Sequence, residues 1–279
     1  MKQTLLEHIL YPTKRINEIN LHNTLRGKAI LITGASYGIG ESIAYRLAAK
    51  DTTLILVART QEKLESIKMD LENRGANIHI ICCDLYDMHQ VDNLIVAIKN
   101  LNIEIDIFIN NAGKSICRPI ENSLDRFHDF TRTTSINYYA PVKIMLYLIP
   151  TLAKKRGHVI NISAINVLFA PAPNWAAYQA SKTAMDNWLR SALPELKANK
   201  IAVTSIYLPL VKTRMIAPNE TYRDAPAMKP EQAANIVCNT IIRRNNKWKP
   251  WWSIFPQIGS VLFRNLWEYI CTYYIKKKW

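Results

Sequence analysis

Short apolar runs alternate with longer amphipathic stretches along most of the chain. An apolar run of about six residues between turn residues is typical of a buried strand, and apolar positions that recur every three or four residues indicate a helix. Their alternation predicts an α/β fold, in which helices cover both faces of a parallel sheet. The predicted strands span residues 28–33, 53–58, 77–83, 105–110, 157–163 and 201–208, with a weaker one at 247–252 because it contains Pro250. The predicted helices span 39–50, 62–74, 88–100, 124–152 and 176–197, and a further helix begins at Pro230.

No internal repeat, low-complexity tract or linker divides the 279 residues. The hydrophobic content of 49% and the charged content of 21% are those of an ordinary folded protein. We therefore expect one domain over residues 27–250. A helical lead-in over 1–26 precedes it, and an aromatic, basic tail over 251–279 follows it.

A glycine-rich turn follows the first predicted strand. It places Gly34, Gly38 and Gly40 in the spacing Gly-x-x-x-Gly-x-Gly, ahead of a predicted helix. Glycines let the chain turn tightly and let a pyrophosphate approach the amino end of the helix, whose free N–H groups favour anions. A glycine loop alone is more often a plain turn, so the flanking strand and helix carry the prediction of a dinucleotide site.

Tyr178 and Lys182 lie four residues apart in a predicted helix and therefore share one of its faces. A fixed ammonium beside a phenol stabilises the phenolate and lowers the phenol's pKa from about 10. Such a phenol is a general acid or base. Taken alone, the pair also fits a buried tyrosine next to a solvated lysine, because this spacing is common on exposed helices.

Together these features resemble the short-chain dehydrogenase/reductase family over residues 27–244. The family's motifs are matched in order by 33–40 (Thr-Gly-Ala-Ser-Tyr-Gly-Ile-Gly), 83–85 (Cys-Asp-Leu), 110–113 (Asn-Asn-Ala-Gly), Asn137, Ser163 and the Tyr178/Lys182 pair. The resemblance implies a single-domain Rossmann fold with a doubly wound parallel sheet. It also implies a nicotinamide cofactor that carries the hydride.

The resemblance assigns roles to four residues. Tyr178 is expected to donate a proton to a carbonyl, or to accept one from an alcohol, while Lys182 lowers its pKa and holds the nicotinamide ribose. Ser163 is expected to hydrogen-bond the substrate oxygen, and Asn137 to hold a water in a relay behind Lys182. Ser163 lacks a Gly-x-Ser-x-Gly elbow, so serine nucleophile chemistry is not expected. A catalytically idle NADP-binding sensor or scaffold is an alternative of another class, against which the four intact residues argue.

The end of the second predicted strand bears on the choice of nicotinamide. An acid at that position binds the adenosine ribose and favours NAD, but this chain has Arg59 and no acid there. A planar guanidinium suits the 2′-phosphate of NADP, so we expect NADP(H), although a plain surface charge would look the same. Tyr37 stands where many NADP-dependent relatives have a second basic residue. The cofactor contacts implied by the resemblance are Gly34, Ser36, Tyr37, Gly38, Ile39, Gly40, Arg59, Thr60, Asp84, Leu85, Asn111, Ala112, Gly113, Tyr178, Lys182, Val211 and Thr213.

The segment after the sixth predicted strand resembles one subgroup of the family more than the others. Where most relatives have Pro-Gly, this chain has Pro-Leu-Val at 209–211, and the run that follows resembles the subgroup that includes fatty acyl-CoA reductases. This implies a loop over 213–228 that covers the substrate. Its apolar Met215, Ile216 and Met228 suit a lipophilic substrate, such as a fatty acyl thioester or long-chain aldehyde, although a merely packed loop would look the same. The alternative substrates are 3-oxoacyl or hydroxysteroid-type ketones.

Aromatic residues crowd the tail after Trp248. As a helix from Gln257, the tail has a polar side that includes Arg264 and an apolar side that includes Leu266. Two charges in the run argue against a membrane-spanning helix, whereas the aromatic residues and the lysines at 276–278 suit a helix in a membrane interface. Packing against a neighbouring subunit of a homodimer or homotetramer is the other interpretation.

The net charge of +14 suggests nucleic acid or an anionic membrane as a partner. The chain has no nucleic-acid-reading motif and its charge forms no compact stripe, so we expect no nucleic-acid partner. The five cysteines are scattered and the six histidines lack metal-ligand spacing, so we predict neither disulfides nor a metal site. The apolar run at 5–10 is too short for a signal peptide. We therefore expect a cytoplasmic enzyme, with peripheral membrane contact as a second expectation.

Overall fold

The computed structural model describes residues 4–12, 15–216, 222 and 224–277. Within them, seven parallel strands form one sheet in the order β3-β2-β1-β4-β5-β6-β7. The strands are β1 (Ala29–Thr33), β2 (Thr53–Ala58), β3 (Asn77–Cys82), β4 (Ile107–Asn110), β5 (His158–Ala164), β6 (Ala202–Leu208) and β7 (Lys247–Trp248). The helices are α1 (Leu5–Leu10), α2 (Glu18–Leu25), α3 (Gly38–Leu47), α4 (Gln61–Glu72), α5 (Met88–Asn100), α6 (Phe127–Thr134), α7 (Ala140–Lys155), α8 (Ala176–Ala198), α9 (Pro230–Arg243), α10 (Ile254–Leu262) and α11 (Arg264–Lys276). This order confirms the predicted doubly wound sheet. The order in which strands are added reverses between β1 and β4, while the strands themselves stay parallel.

Two apolar cores lie on opposite faces of the sheet, because successive side chains of a strand point to opposite sides. In β1, Ile30 and Ile32 belong to one core and Leu31 to the other. Residues of α3, α4 and α9 cover the first core, and residues of α5, α7 and α8 cover the second. The prediction of helices on both faces is therefore confirmed.

The helix predicted over 124–152 is wrong in its middle and at its start. It consists of α6, a π-helical turn at Ser135–Tyr139, and α7. Pro141 lies in the first turn of α7 and has no N–H to bond the turn that precedes it. A π-helical turn inserts one extra residue and often marks a functional position. Here it contains Asn137, one of the predicted catalytic residues.

The last predicted strand is also shorter than expected. β7 contains only two residues, against the six predicted at 247–252. Pro250 has no amide hydrogen to donate to a neighbouring strand, and a 3₁₀ turn at Trp251–Ser253 begins directly after it. The chain therefore leaves the sheet at Trp248.

The two terminal segments lie outside the sheet and differ from their predicted form in detail. The lead-in contains two helices, α1 and α2, and the tail is not one helix from Gln257 but α10 and α11, separated at Phe263. Neither α10 nor α11 contains a buried residue. Among the helices that the structure describes, none is long and apolar enough to cross a membrane.

The carboxyl ends of the parallel strands define one edge of the sheet, called the carboxyl edge below. The glycine turn follows β1 there, the Asn-Asn-Ala-Gly segment follows β4, and Ser163 lies near the end of β5. In open parallel sheets, ligands bind at this edge, where the strand order reverses.

Candidate active site

The glycine turn after β1 is packed so tightly that two of its positions admit no side chain. Gly34 has a φ of +67°, and a Cβ on it would lie 2.8 Å from the Cα of Ala112. A Cβ on Gly40 would lie 2.1 Å from the main-chain oxygen of Gly34. The third glycine, Gly38, has a φ of +59° and faces the side chain of Thr213. The turn thus presents bare main chain at the amino end of α3, as an anion-binding turn requires.

A network around Thr33 and Asn111 fixes this turn to the loop after β4. The Thr33 hydroxyl accepts hydrogen bonds from the amides of Asn111 and Ala112, both at 3.1 Å. The Asn111 side chain donates to the main-chain oxygens of Thr33 (3.0 Å) and Gly34 (3.1 Å). Asn111 was predicted as a cofactor contact, and its amide group supports the glycine turn. No role was predicted for Thr33, although it opens the glycine motif.

Asn137 joins the loop after β4 to helix α8. It is 1% exposed, its Oδ1 accepts from the amide of Lys114 at 2.9 Å, and its Nδ2 donates to the Lys114 oxygen at 2.9 Å. Nδ2 also donates to the Ser181 hydroxyl at 2.9 Å, which in turn donates to the main-chain oxygen of Tyr178 at 2.8 Å. The side chain is thus a positioning group. That Asn137 also holds a relay water stays a prediction.

Lys182 is buried next to the same loop. Its Nζ donates to the main-chain oxygen of Ile162 at 3.1 Å. A Cβ on Gly113 would lie 3.3 Å from Nζ and 3.2 Å from Oδ1 of Asn137, so a side chain at this position would crowd both groups. Burial lowers the pKa of Lys182 to about 8, because an ammonium loses hydration when it is removed from water.

The expected lowering of the Tyr178 pKa by Lys182 is not what this structure shows. Burial raises the pKa of Tyr178, and the nearby phenol of Tyr222 adds to the increase. The Lys182 ammonium is directed at the Ile162 oxygen, so desolvation of the phenol is the larger effect. Trp175 packs edge-on to Tyr178 at 5.8 Å between ring centroids and stacks on Tyr222 at 5.9 Å.

Ser163 carries a buried hydroxyl without a partner. The residue is 4% exposed, and within the described residues its Oγ has no hydrogen-bond partner. A buried polar atom that is left unpaired costs about 1–3 kcal/mol, so such atoms are rare and often belong to a functional site. This hydroxyl fits the predicted bond to a substrate oxygen.

The predicted adenosine-binding residues gather beyond β2 and β3. Arg59 has a 58% exposed side chain, and its Nη1 lies 3.7 Å from Oδ2 of Asp84. Thr60 caps the amino end of α4, and Leu85 is buried. This pair of charges is weak, so the Arg59 guanidinium is available to an anionic ligand.

Two cations that sequence reasoning missed lie over Tyr37. The guanidinium of Arg214 is 3.8 Å from the centre of the ring, and Nζ of Lys63 is 5.9 Å from it. Lys63 is also paired with Glu41 at 2.8 Å. Positive charge thus stands near Tyr37, although the chain has no basic residue at that position itself.

The loop after β6 is closed at its base. Val211 pairs with Met228, and the amide of Lys212 donates to the Met228 oxygen at 2.9 Å. Met228 is only 2% exposed and belongs to the core, whereas Met215 is 48% exposed. Met228 was predicted to suit a lipophilic substrate, but it packs inside the protein. Within the predicted substrate loop, residues 217–221 and 223 lie outside the described residues.

A buried carboxylate from the lead-in bonds the two ends of this loop. No local sequence pattern predicted this contact. Glu7 is 2% exposed and accepts from Nζ of Lys212 at 2.6 Å and from the amide of Ala227 at 3.2 Å. These bonds, with those to Thr4, lower the pKa of Glu7 to about 2. Helix α1 therefore touches both ends of the loop.

Two further kinds of ionisable group bear on the chemistry, namely metal-ligating side chains and a buried histidine. No cluster of three metal-ligating side chains occurs among the residues that the structure describes. His158 is buried in β5, where its Nε2 lies 2.9 Å from Oγ1 of Thr204. Burial, with the charge of Arg244 nearby, lowers the pKa of His158 to about 3, as for a neutral structural histidine.

Comparison with known proteins agrees with this geometry. A family profile described as short chain dehydrogenase matches residues 28–224. The chain belongs to this family. It is 46% identical over 228 residues to a fatty acyl-CoA reductase of Acinetobacter baylyi, covering 81% of this chain and 77% of that protein. It is 37% identical over 211 residues to a fatty acyl-CoA reductase of Mycobacterium tuberculosis, covering 75% of this chain and 72% of that protein.

Solved structures agree with the fold. A short-chain dehydrogenase from Sphingobium yanoikuyae in complex with NADPH superposes with a TM-score of 0.70 at 23% identity, covering 79% of this chain and 86% of that one. The expected resemblance to the short-chain dehydrogenases, and to their fatty acyl-CoA reductase-like members, is therefore confirmed. The protein is an oxidoreductase of this family.

Proposed function

We propose that the protein reduces a lipophilic acyl thioester or aldehyde with NADPH. The observation that carries the proposal is the buried, unpaired hydroxyl of Ser163, on the strand that precedes the helix of Tyr178. A substrate carbonyl oxygen would give this hydroxyl the acceptor that it lacks among the described residues. When the substrate is an aldehyde, the same oxygen is the atom that gains a proton during reduction.

Tyr178 would supply that proton. Its raised pKa keeps the phenol protonated at neutral pH, which a proton donor requires. Lys182, with a pKa of about 8, is mostly charged at neutral pH and would supply the positive charge that stabilises the phenolate as it forms.

The residues at the carboxyl edge fit a nicotinamide dinucleotide. Gly34 and Gly40 leave a cradle that a Cβ would fill, at the amino end of α3. The exposed guanidinium of Arg59 would pair with a 2′-phosphate, and Arg214 adds positive charge over Tyr37. When bound, the nicotinamide supplies the hydride.

The chemistry balances for both substrate classes. With an aldehyde, the carbonyl carbon gains a hydride and its oxygen gains the Tyr178 proton, so an alcohol forms. With an acyl thioester, the carbonyl carbon gains a hydride, the C–S bond breaks and the CoA thiolate leaves, so an aldehyde forms. Each reduction oxidises one NADPH to NADP⁺. The relatives' names and the exposed Met215 at the site support a fatty acyl chain as the substrate.

A substrate panel tests the proposal. The protein is mixed with NADPH or NADH and with acyl-CoAs, aldehydes and ketones of several chain lengths, and nicotinamide absorbance and free thiol are followed. We expect oxidation of NADPH, in preference to NADH, with long-chain acyl-CoAs or aldehydes. Turnover of 3-oxoacyl or steroid ketones alone would contradict the substrate class. Tight NADPH binding without turnover of any substrate would favour a sensor or scaffold instead.

A further inference from the structure

We propose that α1, α10 and α11 form one docking surface for an anionic lipid bilayer at the carboxyl edge. This surface, called the lipid-facing surface, consists of the exposed apolar residues of these three helices. Its most exposed members are Leu5 (80%), Val261 (76%), Tyr269 (70%), Leu262 (68%) and Phe255 (67%). Large exposed apolar patches on soluble proteins usually mark interaction sites.

Two indole N–H groups of the tail donate hydrogen bonds to main-chain oxygens outside it. The indole N–H of Trp267 in α11 donates to the main-chain oxygen of Pro171 at 3.0 Å. The indole N–H of Trp251, just before α10, donates to the main-chain oxygen of Ile9 in α1 at 3.2 Å. The second bond joins the tail to the lead-in, so the two chain termini contribute to the same surface.

These anchors place the lipid-facing surface beside the catalytic groups. Pro171 lies in the connection between β5, which contains Ser163, and α8, which contains Tyr178. Through Glu7, α1 contacts both ends of the loop that follows β6. A lipophilic substrate that leaves the bilayer at this surface would meet the segment that connects Ser163 to Tyr178. This consequence rests on the proposed function, whereas the docking itself does not.

Charge favours a bilayer over a second copy of the chain. The described part of the tail contains Arg264, Lys276 and Lys277 but only one acid, Glu268, which is paired with Arg264 at 3.1 Å. The whole chain has a net charge of +14. Two such surfaces in contact would repel each other, whereas each lysine near an anionic membrane is attracted to it. Tryptophan and tyrosine side chains, which are frequent here, prefer the boundary between lipid and water.

Sedimentation with vesicles tests the docking surface on the full chain without substrate. We expect the protein to sediment with phosphatidylcholine vesicles that contain phosphatidylglycerol, and to do so less at high salt or without the anionic lipid. Replacing two apolar side chains of the surface, as Phe255→Glu with Val261→Glu, should lower vesicle binding by about tenfold or more.

A control variant with the same change in charge, placed elsewhere, shows whether vesicle binding depends on the lipid-facing surface or on net charge. Met69→Glu with Val96→Glu makes the same change in charge at exposed apolar positions of α4 and α5, away from the lipid-facing surface. This control should bind vesicles like the unaltered protein. Circular dichroism and NADPH affinity should match between the two variants and the unaltered protein, because none of these residues touches the cofactor motifs.

Three outcomes would overturn the proposal. The unaltered protein could stay in solution with anionic vesicles at low salt, or the α4/α5 control could lose as much binding as the tail variant. The tail variant could instead convert an oligomer into a monomer without any vesicle binding, which would identify the surface as a subunit contact. Vesicle binding by a protein that reduces no acyl-CoA or aldehyde would leave the docking surface in place and contradict only the proposed function.

Discussion

The catalytic platform and the tail both lie at the carboxyl edge, but they are built in opposite ways. The platform comprises the glycine turn, Ser163 and Tyr178, together with Thr33, Asn111, Asn137 and Lys182, whose polar side-chain atoms are hydrogen-bonded to neighbouring main-chain groups. The tail helices α10 and α11 contain no buried residue and are held mainly through Trp251 and Trp267. The platform therefore depends on individual atoms, whereas the tail depends on summed apolar area and charge.

The largest effect should come from removing one oxygen atom at the platform. Tyr178→Phe keeps the ring but removes the proton, so turnover should fall by about 10²- to 10⁴-fold while NADPH affinity stays nearly unchanged. Steady-state rates and a NADPH titration measure the two effects. Tyr222→Phe is the matched control, since it removes a phenol next to Trp175 without removing the proposed donor. If Tyr178→Phe keeps its turnover, the proton comes from another group.

Two helical glycines allow a direct comparison of the platform with the tail. A Cβ on Gly40 in α3 would lie 2.1 Å from the Gly34 oxygen, whereas one on Gly259 in α10 would meet nothing within 4 Å. Gly40→Ala should therefore lower the free energy of unfolding by about 1–3 kcal/mol and weaken NADPH binding. Gly259→Ala should raise it by up to about 1 kcal/mol, because alanine favours the helix. Equal unfolding midpoints in urea for both variants would show that the turn has room to relax.

Cofactor choice should be less sensitive, because it rests on an exposed side chain. Arg59→Ala should reduce the preference for NADPH over NADH by roughly 10- to 150-fold, the range of one charge-assisted pair. Arg214→Ala should give a smaller loss, since Arg214 lies over the Tyr37 ring. Fluorescence titrations with both nucleotides measure the ratio. Equal affinity for NADPH and NADH in the unaltered protein would remove the basis of this prediction.

The sheet and the motif residues could be predicted because their signals are local. Buried strands are short apolar runs, and the glycine turn, Ser163 and Tyr178 are each followed or preceded by the expected element. The geometry of the platform also follows from chain order, since parallel strands end at one edge. The break of the 124–152 helix at Asn137 was missed although Pro141, four residues later, has no N–H to bond the Asn137 oxygen, whereas the bonds of Asn137 to Lys114 and Ser181 are long-range and have no local signal.

The other features that the sequence did not predict depend on long-range contacts or on the balance between two effects on one pKa. The ion pair of Glu7 with Lys212 joins two segments far apart in the chain, so no spacing rule detects it. The pKa of Tyr178 depends on whether burial or the Lys182 charge has the larger effect, and helical spacing sets only the second. The contact of Arg214 with Tyr37 is likewise long-range, between the loop after β6 and the glycine turn, where Thr213 also faces Gly38.

The smallest predicted effect is a loss of stability in mild acid, which arises beneath the platform and not in the tail. His158 in β5 has its pKa lowered from 6.5 to about 3 by burial. The unfolded chain therefore binds the proton first, so this contribution is complete above the ordinary pKa and is lost as the pH falls through the window from 6.5 toward 3. The expected slope is about 1.4 kcal/mol per pH unit.

Urea unfolding at neutral pH and at about one and a half pH units below it measures this loss, which should be about 1.3 kcal/mol because the slope develops only below the ordinary pKa of 6.5. Glu7, whose pKa is lowered from 4.5 to about 2, begins to lose its contribution only near and below pH 4.5, so it contributes little in this range. His158→Gln keeps a polar group near Thr204 and should reduce the slope, even if the variant is less stable at neutral pH. An unchanged slope in that variant would assign the acid sensitivity to another group.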